Sequence, residues 1–471
     1  MLLAVGDHTT PSIDRLLVTP LKPERETMSL KQFSRRCFLG SSVLTAAGIM
    51  AVPYWMTADA EDRAKPRSAN DRPRIGAIGM RYQGSVVADK AKDYGDIVAI
   101  CDVDEQIGKK AVEQFGGKAD LYGDHRKMLE RGDIDIITIG TPDHWHTPMV
   151  LDAVRAGKDV YVEKPLTLTI DEGKLLIKVV KETGRVVQVG AWQRSDENFR
   201  IAVEMVRAGR IGALQSVEVI LGKNVTGGPF EIQEPPSHLN WDRWLGQAPA
   251  VPYIAERCHY TFRWWYAYSG GQMTDWGAHH IDIADWGVGG PTEGILEVEG
   301  DAIFPLAANG YDVAIDYSAK YTYPNGVVMT VLDKGRNGIM FNGTEGRIFV
   351  NRGTVSGRPI EERATRPFGR ENYKLYIHDN FDRPPRTGKL DGIINHMGNF
   401  IDCCRSRKQP LAGVEDLQRS SCLCHIGTIA QKLGRKLKWD MKNEQFIDAV
   451  DANAFLKREQ RKGYEFGYSD S

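Results

Sequence analysis

Three observations in the 471-residue chain predict an α/β fold in two parts: a parallel sheet covered by helices, then an α+β unit on a largely antiparallel, open mixed sheet. Short β-branched runs alternate with helix-like segments from Arg74 to about Gly190. The first of these runs ends in a glycine-rich turn. Beyond Ala191 the alternation gives way to an aromatic, loop-rich stretch and then to strands. The length argues separately for two domains, because single cores stop growing near this size. Apolar residues make up 42% and the formal net charge is −1, which fits a globular protein and excludes the basic field of a nucleic-acid binder.

Residues 1–60 read as an address label. Arg35 and Arg36 stand in Ser-Arg-Arg-x-Phe-Leu-Gly, the twin-arginine pattern. A mildly apolar run from Leu39 to Trp55 follows, and Ala58-Asp59-Ala60 offers a small-x-small cleavage site. Met28 is an alternative start. The pattern predicts a periplasmic protein exported by the twin-arginine machinery, or a membrane-anchored one where the signal is not cleaved. Residues 61–73 read as a linker. Of the seven cysteines, Cys37 falls within the signal. A chain that folds in a reducing cytoplasm does not rely on disulfides. No Cys-x-x-Cys pair is present, so Cys403, Cys404, Cys422 and Cys424 are expected as buried packing thiols.

Residues 74–190 carry the strand runs 75–78, 97–101, 134–139, 160–162 and 186–189, with helix-like 104–115 and 146–156 between them. Near-continuous apolar strands alternating with helices mean a parallel sheet buried on both faces. Gly79 and Gly84 take the first and third positions of a G-x-G-x-x-G turn, which makes this a Rossmann dinucleotide-binding domain. The backbone of Gly79, Met80, Arg81 and Tyr82 then faces a pyrophosphate at a helix start. Arg81 replaces the second glycine, so its side chain either folds outward or meets a phosphate. Asp102, about twenty residues on, ends the second strand as the partner of the adenosine ribose. Its charge repels a 2′-phosphate, which favours NAD over NADP.

Two stretches carry chemistry. Glu163-Lys164-Pro165 follows a parallel strand, where open α/β sheets bind ligands. A lysine there serves as acid or base if burial and positive neighbours bring its pKa from about 10.4 toward 7–8. In 270–286, a helix after Gly270-Gly271 would place Asp275, His279 and Asp282 on one face, with the carboxylate of Asp275 orienting the imidazole. His280 would point about 100° away. Ligands from a single helix make an incomplete metal site, so no metal is expected. Six of the ten tryptophans lie between Trp241 and Trp286, and Trp264-Trp265 directly precede the chemical segment. Aromatic faces of this kind suit a sugar ring.

The second part, 191–471, begins with helix-like 197–209 and strand-like 214–221. A hairpin over 315–333 turns at Asn325-Gly326, read as a type I′ turn. Late helices near 393–406 and 414–433 are expected to pack back across the domains.

With these residues in place, the chain resembles the Gfo/Idh/MocA oxidoreductases from about Arg74 to about Lys457, and most of all their exported bacterial branch. The likeness is carried by the glycine turn, Asp102, 141-TPDHWHT-147, 157-GKDVYVEKP-165, 190-GAWQRS-195, 241-WDRWLGQAP-249 and 274-TDWGAHHID-282. It implies that Lys164 sits by the nicotinamide and the reacting carbinol, and that Asp275 and His279 contact the hydroxyl being oxidised. It further implies that Thr141, Pro142, His144, His146 and Glu163 border the cofactor, and that Gln193 and Arg194 face its junction with substrate. Arg194, Trp264, Trp265, His280 and Asp282 are then the expected substrate contacts. The expected function is hydride transfer between NAD(H) and a secondary hydroxyl of a sugar or cyclitol, in a homo-oligomer formed through the C-terminal sheet. The alternatives are a redox-neutral enzyme with tightly bound NAD (a sugar–sugar oxidoreductase, epimerase, lyase or glycosidase) and a non-catalytic sugar-binding protein.

Overall fold

The computed structural model describes residues 72–289, 292–376 and 391–467. The signal read in residues 1–60, and the linker up to residue 71, lie outside them. The first sheet has six parallel strands: β1 (Arg74–Ile78), β2 (Asp96–Cys101), β3 (Asp120–Tyr122), β4 (Ile136–Ile139), β5 (Asp159–Val162) and β6 (Val187–Val189). Their order is β3-β2-β1-β4-β5-β6, so the chain reverses direction across the sheet between β1 and β4. A crevice opens at that reversal, beyond the carboxyl ends of the strands. The edge strand β3 escapes a reading by pattern because it has three residues and none is buried.

Two apolar layers enclose this sheet, which is why its central strands read as unbroken hydrophobic runs. On one face Val150, Leu151, Leu176 and Val179 pack on Ile137, Ile139, Val160 and Val162. They come from the helices α1 (His146–Arg155) and α2 (Ile170–Thr183). On the other, Ile75, Ile136 and Tyr161 meet Met397, Phe400 and Ile401 of the helix Asp391–Ser406. The parallel sheet is therefore closed by a late helix, as the sequence led one to expect.

The second sheet has nine strands: β7 (Leu214–Ile220), β8 (Ile295–Ile303), β9 (Asp316–Thr322), β10 (Val328–Leu332), β11 (Gly338–Gly343), β12 (Arg347–Asn351), β13 (Thr354–Ser356), β14 (Leu437–Asp440) and β15 (Gln445–Phe446). Only β7 and β10 pair in parallel; the other pairings are antiparallel. Period-two alternation buries Tyr317, Ala319 and Tyr321 of β9 and exposes Lys320. The buried face packs on the helices Glu197–Arg207, Gly277–Val288 and Val414–Leu433.

The β9–β10 hairpin corrects the expected type I′ turn. The Gly326 N–H donates to the Tyr323 carbonyl (2.9 Å), so the central residues are Pro324 and Asn325. Proline cannot take positive φ. Only Gly326, at φ 82°, is left-handed, as in a type I turn closed by a glycine bulge. Cys101, Cys258, Cys403, Cys404, Cys422 and Cys424 are all buried, in keeping with packing thiols.

Phe400 is fully buried against the parallel sheet. Its replacement by alanine is expected to cost about 3–5 kcal/mol, read as a fall in the urea midpoint. A midpoint unchanged from wild type would show that the late helix does not brace this sheet.

Candidate active site

At the sheet reversal three backbones touch. Gly79 sits at φ 75°, and a Cβ added to Gly84 would lie 1.7 Å from the Gly79 carbonyl oxygen. One added to Gly140, at the end of β4, would lie 2.4 Å from the Gly84 Cα. Only hydrogen fits there, and the helix Gln83–Ala91 starts from this contact with its first N–H groups toward the crevice. Arg81 is exposed and turns its side chain along the cleft wall, which is how the turn tolerates it. The Asp102 carboxylate accepts the Met80 N–H (2.8 Å) and the Asp104 N–H (2.9 Å). Burial raises its pKa to about 6 against the pull of those two bonds. The cleft holds about 620 Å³, and the buried Thr141 hydroxyl on its wall has no partner among the described residues. A glycine cradle, an acid at the end of β2 and an orphaned hydroxyl together fit a dinucleotide.

The other end of the cleft holds the reactive groups. Lys164 follows β5, and its Nζ meets Asp275 Oδ1 at 2.5 Å and the Asp275 carbonyl at 3.3 Å. Arg263 Nε approaches the same carboxylate oxygen at 3.4 Å. Burial pushes the Asp275 carboxyl up, but these two cations outweigh it and hold the pKa at about 2. Glu163 is buried behind the loop, where it accepts from Gln83 Nε2 (3.1 Å) and burial raises its pKa. His279 lines the cleft, and its ring makes no hydrogen bond among the described residues; Nδ1 is shielded, which leaves Nε2 for the cleft. Burial, then the charges of Lys164 and Arg352, push its pKa well below the usual value, so the ring is neutral.

This geometry corrects the expected partnership of Asp275 with His279. The helix begins at Gly277, after a short 3₁₀ turn at Gly271–Met273, so Asp275 precedes it and faces Lys164. The charge nearest the lysine is a carboxylate and not another cation. The structure brings Gly79, Arg81, Tyr82, Asp102, Thr141, Pro142, Glu163, Lys164, Asp275 and His279 to one cleft.

The remaining expected site residues lie behind the wall. Met80 joins the sheet's core and offers only its backbone, to Asp102. His144 packs between Trp244 and Tyr268, bonds the Trp244 carbonyl, and is pushed to a pKa of about 3 by burial. His146 lies between the carbonyls of Pro165 (2.6 Å) and Thr141 (3.0 Å), bracing two cleft loops. The buried Gln193 amide reaches the His279 carbonyl and His280 Nδ1 (both 3.2 Å) through nitrogen, and Arg352 Nε (3.0 Å) through oxygen. His280 is then held between Gln193 and Asn337, away from the cleft. Arg194 and Asp282 are not substrate contacts: they form a buried bidentate pair at 2.9 and 2.7 Å, and Ser420 also donates to Asp282 (2.6 Å). Trp264 and Trp265 belong to an aromatic core, with the Trp265 indole N–H on the Glu256 carbonyl.

Sequence reasoning passed over Asp143, Trp192, Arg263 and Arg352, and included Trp276 only within the tryptophan-rich segment; all five line the cleft. Asp143 directly follows Thr141-Pro142 and donates a visible signal by position alone. Its pKa rises to about 7 through burial, and the Ser269 hydroxyl donates to it. Arg352 comes from the β12–β13 turn, where nothing in the sequence marks it.

Two family models cover the described fold: "Oxidoreductase family, NAD-binding Rossmann fold" over residues 74–191, and "Oxidoreductase family, C-terminal alpha/beta domain" over 223–361 and 372–466. The chain belongs to the Gfo/Idh/MocA oxidoreductase family. Its cofactor is NAD. A glycosyl hydrolase family 109 protein of Shewanella pealeana is 30% identical over 206 residues, 39% of this chain and 44% of the relative. Inositol 2-dehydrogenase of Burkholderia cenocepacia is 33% identical over 118 residues, 25% of this chain and 35% of the relative. The matches thus span less than half the length of these curated relatives. Among solved structures, levoglucosan dehydrogenase in complex with NADH and levoglucosan shares the fold with a TM-score of 0.59 at 18% identity, over 78% of this chain and 99% of that one.

Asp282→Asn removes the charge that neutralises buried Arg194. The protein should lose about 3–5 kcal/mol of stability, seen as a lower thermal midpoint, while the NAD affinity of the folded fraction stays at the wild-type level. Wild-type stability combined with lost substrate affinity would return Asp282 to the substrate site.

Proposed function

We propose that the protein oxidises a secondary hydroxyl of a sugar or cyclitol, or reduces the corresponding ketone, with NAD(H). The observation that carries this reading is the placement of a neutral, unbonded imidazole beside a carboxylate-tethered ammonium on the cleft that also holds the glycine cradle. When bound, NAD supplies the hydride acceptor. His279, neutral at Nε2, takes the proton of the hydroxyl. Lys164, held by Asp275, donates a hydrogen bond to the oxygen as negative charge develops there. The substrate carbon loses a hydride and its oxygen a proton, which leaves a ketone. Trp192 and Trp276 offer ring faces beside His279, with centroids 6.0 and 6.4 Å from the imidazole, in the role first read for Trp264 and Trp265.

The named relatives support a second reading. A glycosyl hydrolase family 109 protein is similar to this chain. In a redox-neutral cycle the same first step would acidify the neighbouring C–H, and the hydride would return after glycoside cleavage. Such an enzyme keeps its cofactor. Mass spectrometry of the purified protein for bound nucleotide, followed by a sugar and glycoside panel watched at the nicotinamide band, separates the two: net NADH formation marks the dehydrogenase, and product release without absorbance change marks the cycle.

On either reading Lys164→Ala should lower kcat about 10²–10⁴-fold while NAD affinity stays near wild type; turnover within a few fold of wild type would remove Lys164 from the chemistry. The pH dependence follows from the sign of the His279 shift. Its pKa is lowered, so the base form persists as pH falls through the ordinary histidine value of about 6.5. The acid limb of kcat/KM for oxidation should therefore lie below that value, and a limb centred at 6.5 that vanishes in His279→Asn would contradict the neutral-base assignment.

A further inference from the structure

Arg352 stands on the cleft with more hydrogen-bonding capacity than the protein uses. It comes from the turn between β12 and β13, on the second sheet, and reaches over the chemical end of the cleft. Its guanidinium lies 4.7 Å from the centroid of the Trp192 ring and 4.3 Å from that of Trp276. Nε is fixed by Gln193, whose oxygen accepts at 3.0 Å. Two indoles and an amide thus orient the guanidinium plane. The two terminal nitrogens carry four N–H donors. Among the described residues neither has a hydrogen-bond partner, and Arg352 forms no salt bridge among them.

The other cleft cations at this end are already committed. Lys164 and Arg263 both face Asp275. The other acids that act on Arg352 are Asp196, which caps a helix by accepting the Asn198 and Phe199 N–H groups, and Glu163, which is taken up by Gln83. An oriented, unpaired guanidinium is matched to a group with two anionic oxygens, which it binds through parallel N–H···O bonds. Position decides which molecule brings that group. The carboxylate of Asp102, which receives the ribose, is at the opposite end of the glycine turn, whereas Arg352 sits with Trp192, Trp276 and His279, where the substrate ring is expected.

We propose that Arg352 is a specificity-determining residue that selects a sugar bearing an anionic substituent, a carboxylate or a phosphate ester, and holds it with its reacting hydroxyl against His279 and Lys164. This rests on the sugar-oxidoreductase reading for the identity of the ring, but not on the direction or net outcome of the reaction. A charged substituent also explains why two indole faces flank the site: they fix the guanidinium plane and shield its bonds from water.

The test is an equilibrium titration of the full-length protein, followed by tryptophan fluorescence with no turnover required. The carboxylate arm uses D-glucuronate and D-galacturonate, the phosphate arm uses D-glucose 6-phosphate, and the neutral arm uses D-glucose and D-galactose. At least one acidic arm should bind about tenfold or more tightly than its neutral parent, and the better arm identifies the substituent. Arg352→Gln should erase that preference with NAD affinity unchanged. Arg352→Lys keeps the charge but loses the planar fork, so it should keep a reduced preference, which also guards against a glutamine variant that fails to fold. Equal binding of acidic and neutral sugars, absence of acid-sugar binding, or a preference that survives Arg352→Gln overturns the proposal. Nicotinamide absorbance recorded on the same samples after addition of NAD keeps the two readings apart. Acid preference without hydride transfer sinks the dehydrogenase and leaves Arg352 as the reader, whereas hydride transfer from neutral sugars without preference does the reverse.

Discussion

Lys164 and Asp275 are 111 residues apart in the chain, yet Nζ and Oδ1 meet at 2.5 Å. One stands on the loop after β5 of the parallel sheet, the other in the turn before the helix that packs on the second sheet. Both side chains are largely buried. Taking two charges out of water costs several kcal/mol each, and their attraction returns a similar amount. The pair is therefore a poor source of net stability. What it does is fix an ammonium at one place on the cleft and keep Asp275 ionised beside it. The division of labour follows. The carboxylate is spent on the lysine and on Arg263, so none is left to stabilise a protonated His279, and the imidazole remains a base.

A second tier of buried polar groups holds the first in register. The Arg194–Asp282 pair, with Ser420 and the Leu411 carbonyl, ties the turn at Trp192–Ser195 to the helices Gly277–Val288 and Val414–Leu433. His146 ties the Thr141 turn to the loop carrying Lys164. Gln193 bridges from the His279 backbone to Arg352. Each of these residues is polar and buried, with its partners supplied by protein. Losing one partner of such a pair leaves an uncompensated group in a low dielectric, which costs more than the pair contributes. They are supports of the site, one layer removed from anything a substrate touches.

That layer is also where reading the sequence went astray. The six-stranded core was legible because β-branched runs alternate with helical spacing, and the glycine turn because backbone contacts at Gly79 and Gly84 leave no room for a side chain. Lys164 and His279 were legible because their motifs carry them. Arg194, His280, Asp282, His144 and His146 stand in the same motifs, and sequence does not say which of two adjacent side chains faces the cleft and which faces its support. Helix phase decided it for His279 and His280. For Asp275 the error was of another kind: residues 272–276 lie outside the helix, which begins only at Gly277, and so the expected i, i+4 pair did not form. Trp264 and Trp265 failed for a plainer reason, since a tryptophan pair that suits a sugar ring suits a hydrophobic core equally well. Arg352 had no local signal, because it reaches the cleft through the fold of a distant sheet.

The chemical end of the cleft does not choose between net oxidation and a redox-neutral cycle, because both begin by taking the same proton and hydride. The choice rests on whether the cofactor leaves. Tyr82, exposed on the glycine turn at φ 39°, sets its ring edge-on to that of Tyr260 in the aromatic segment, 6.4 Å between centroids. This contact crosses from the parallel-sheet unit to the other side of the cleft. An exposed aromatic pair is worth about 0.5–1.5 kcal/mol, or roughly tenfold in an opening equilibrium. That is too little to keep a dinucleotide through many turnovers. Retention would have to arise from the enclosed contacts: the backbone N–H groups at the start of the helix Gln83–Ala91, the Asp102 carboxylate and the Thr141 hydroxyl. Those contacts serve any NAD enzyme of this fold, so an exchangeable cofactor and a resident one would be held by the same groups.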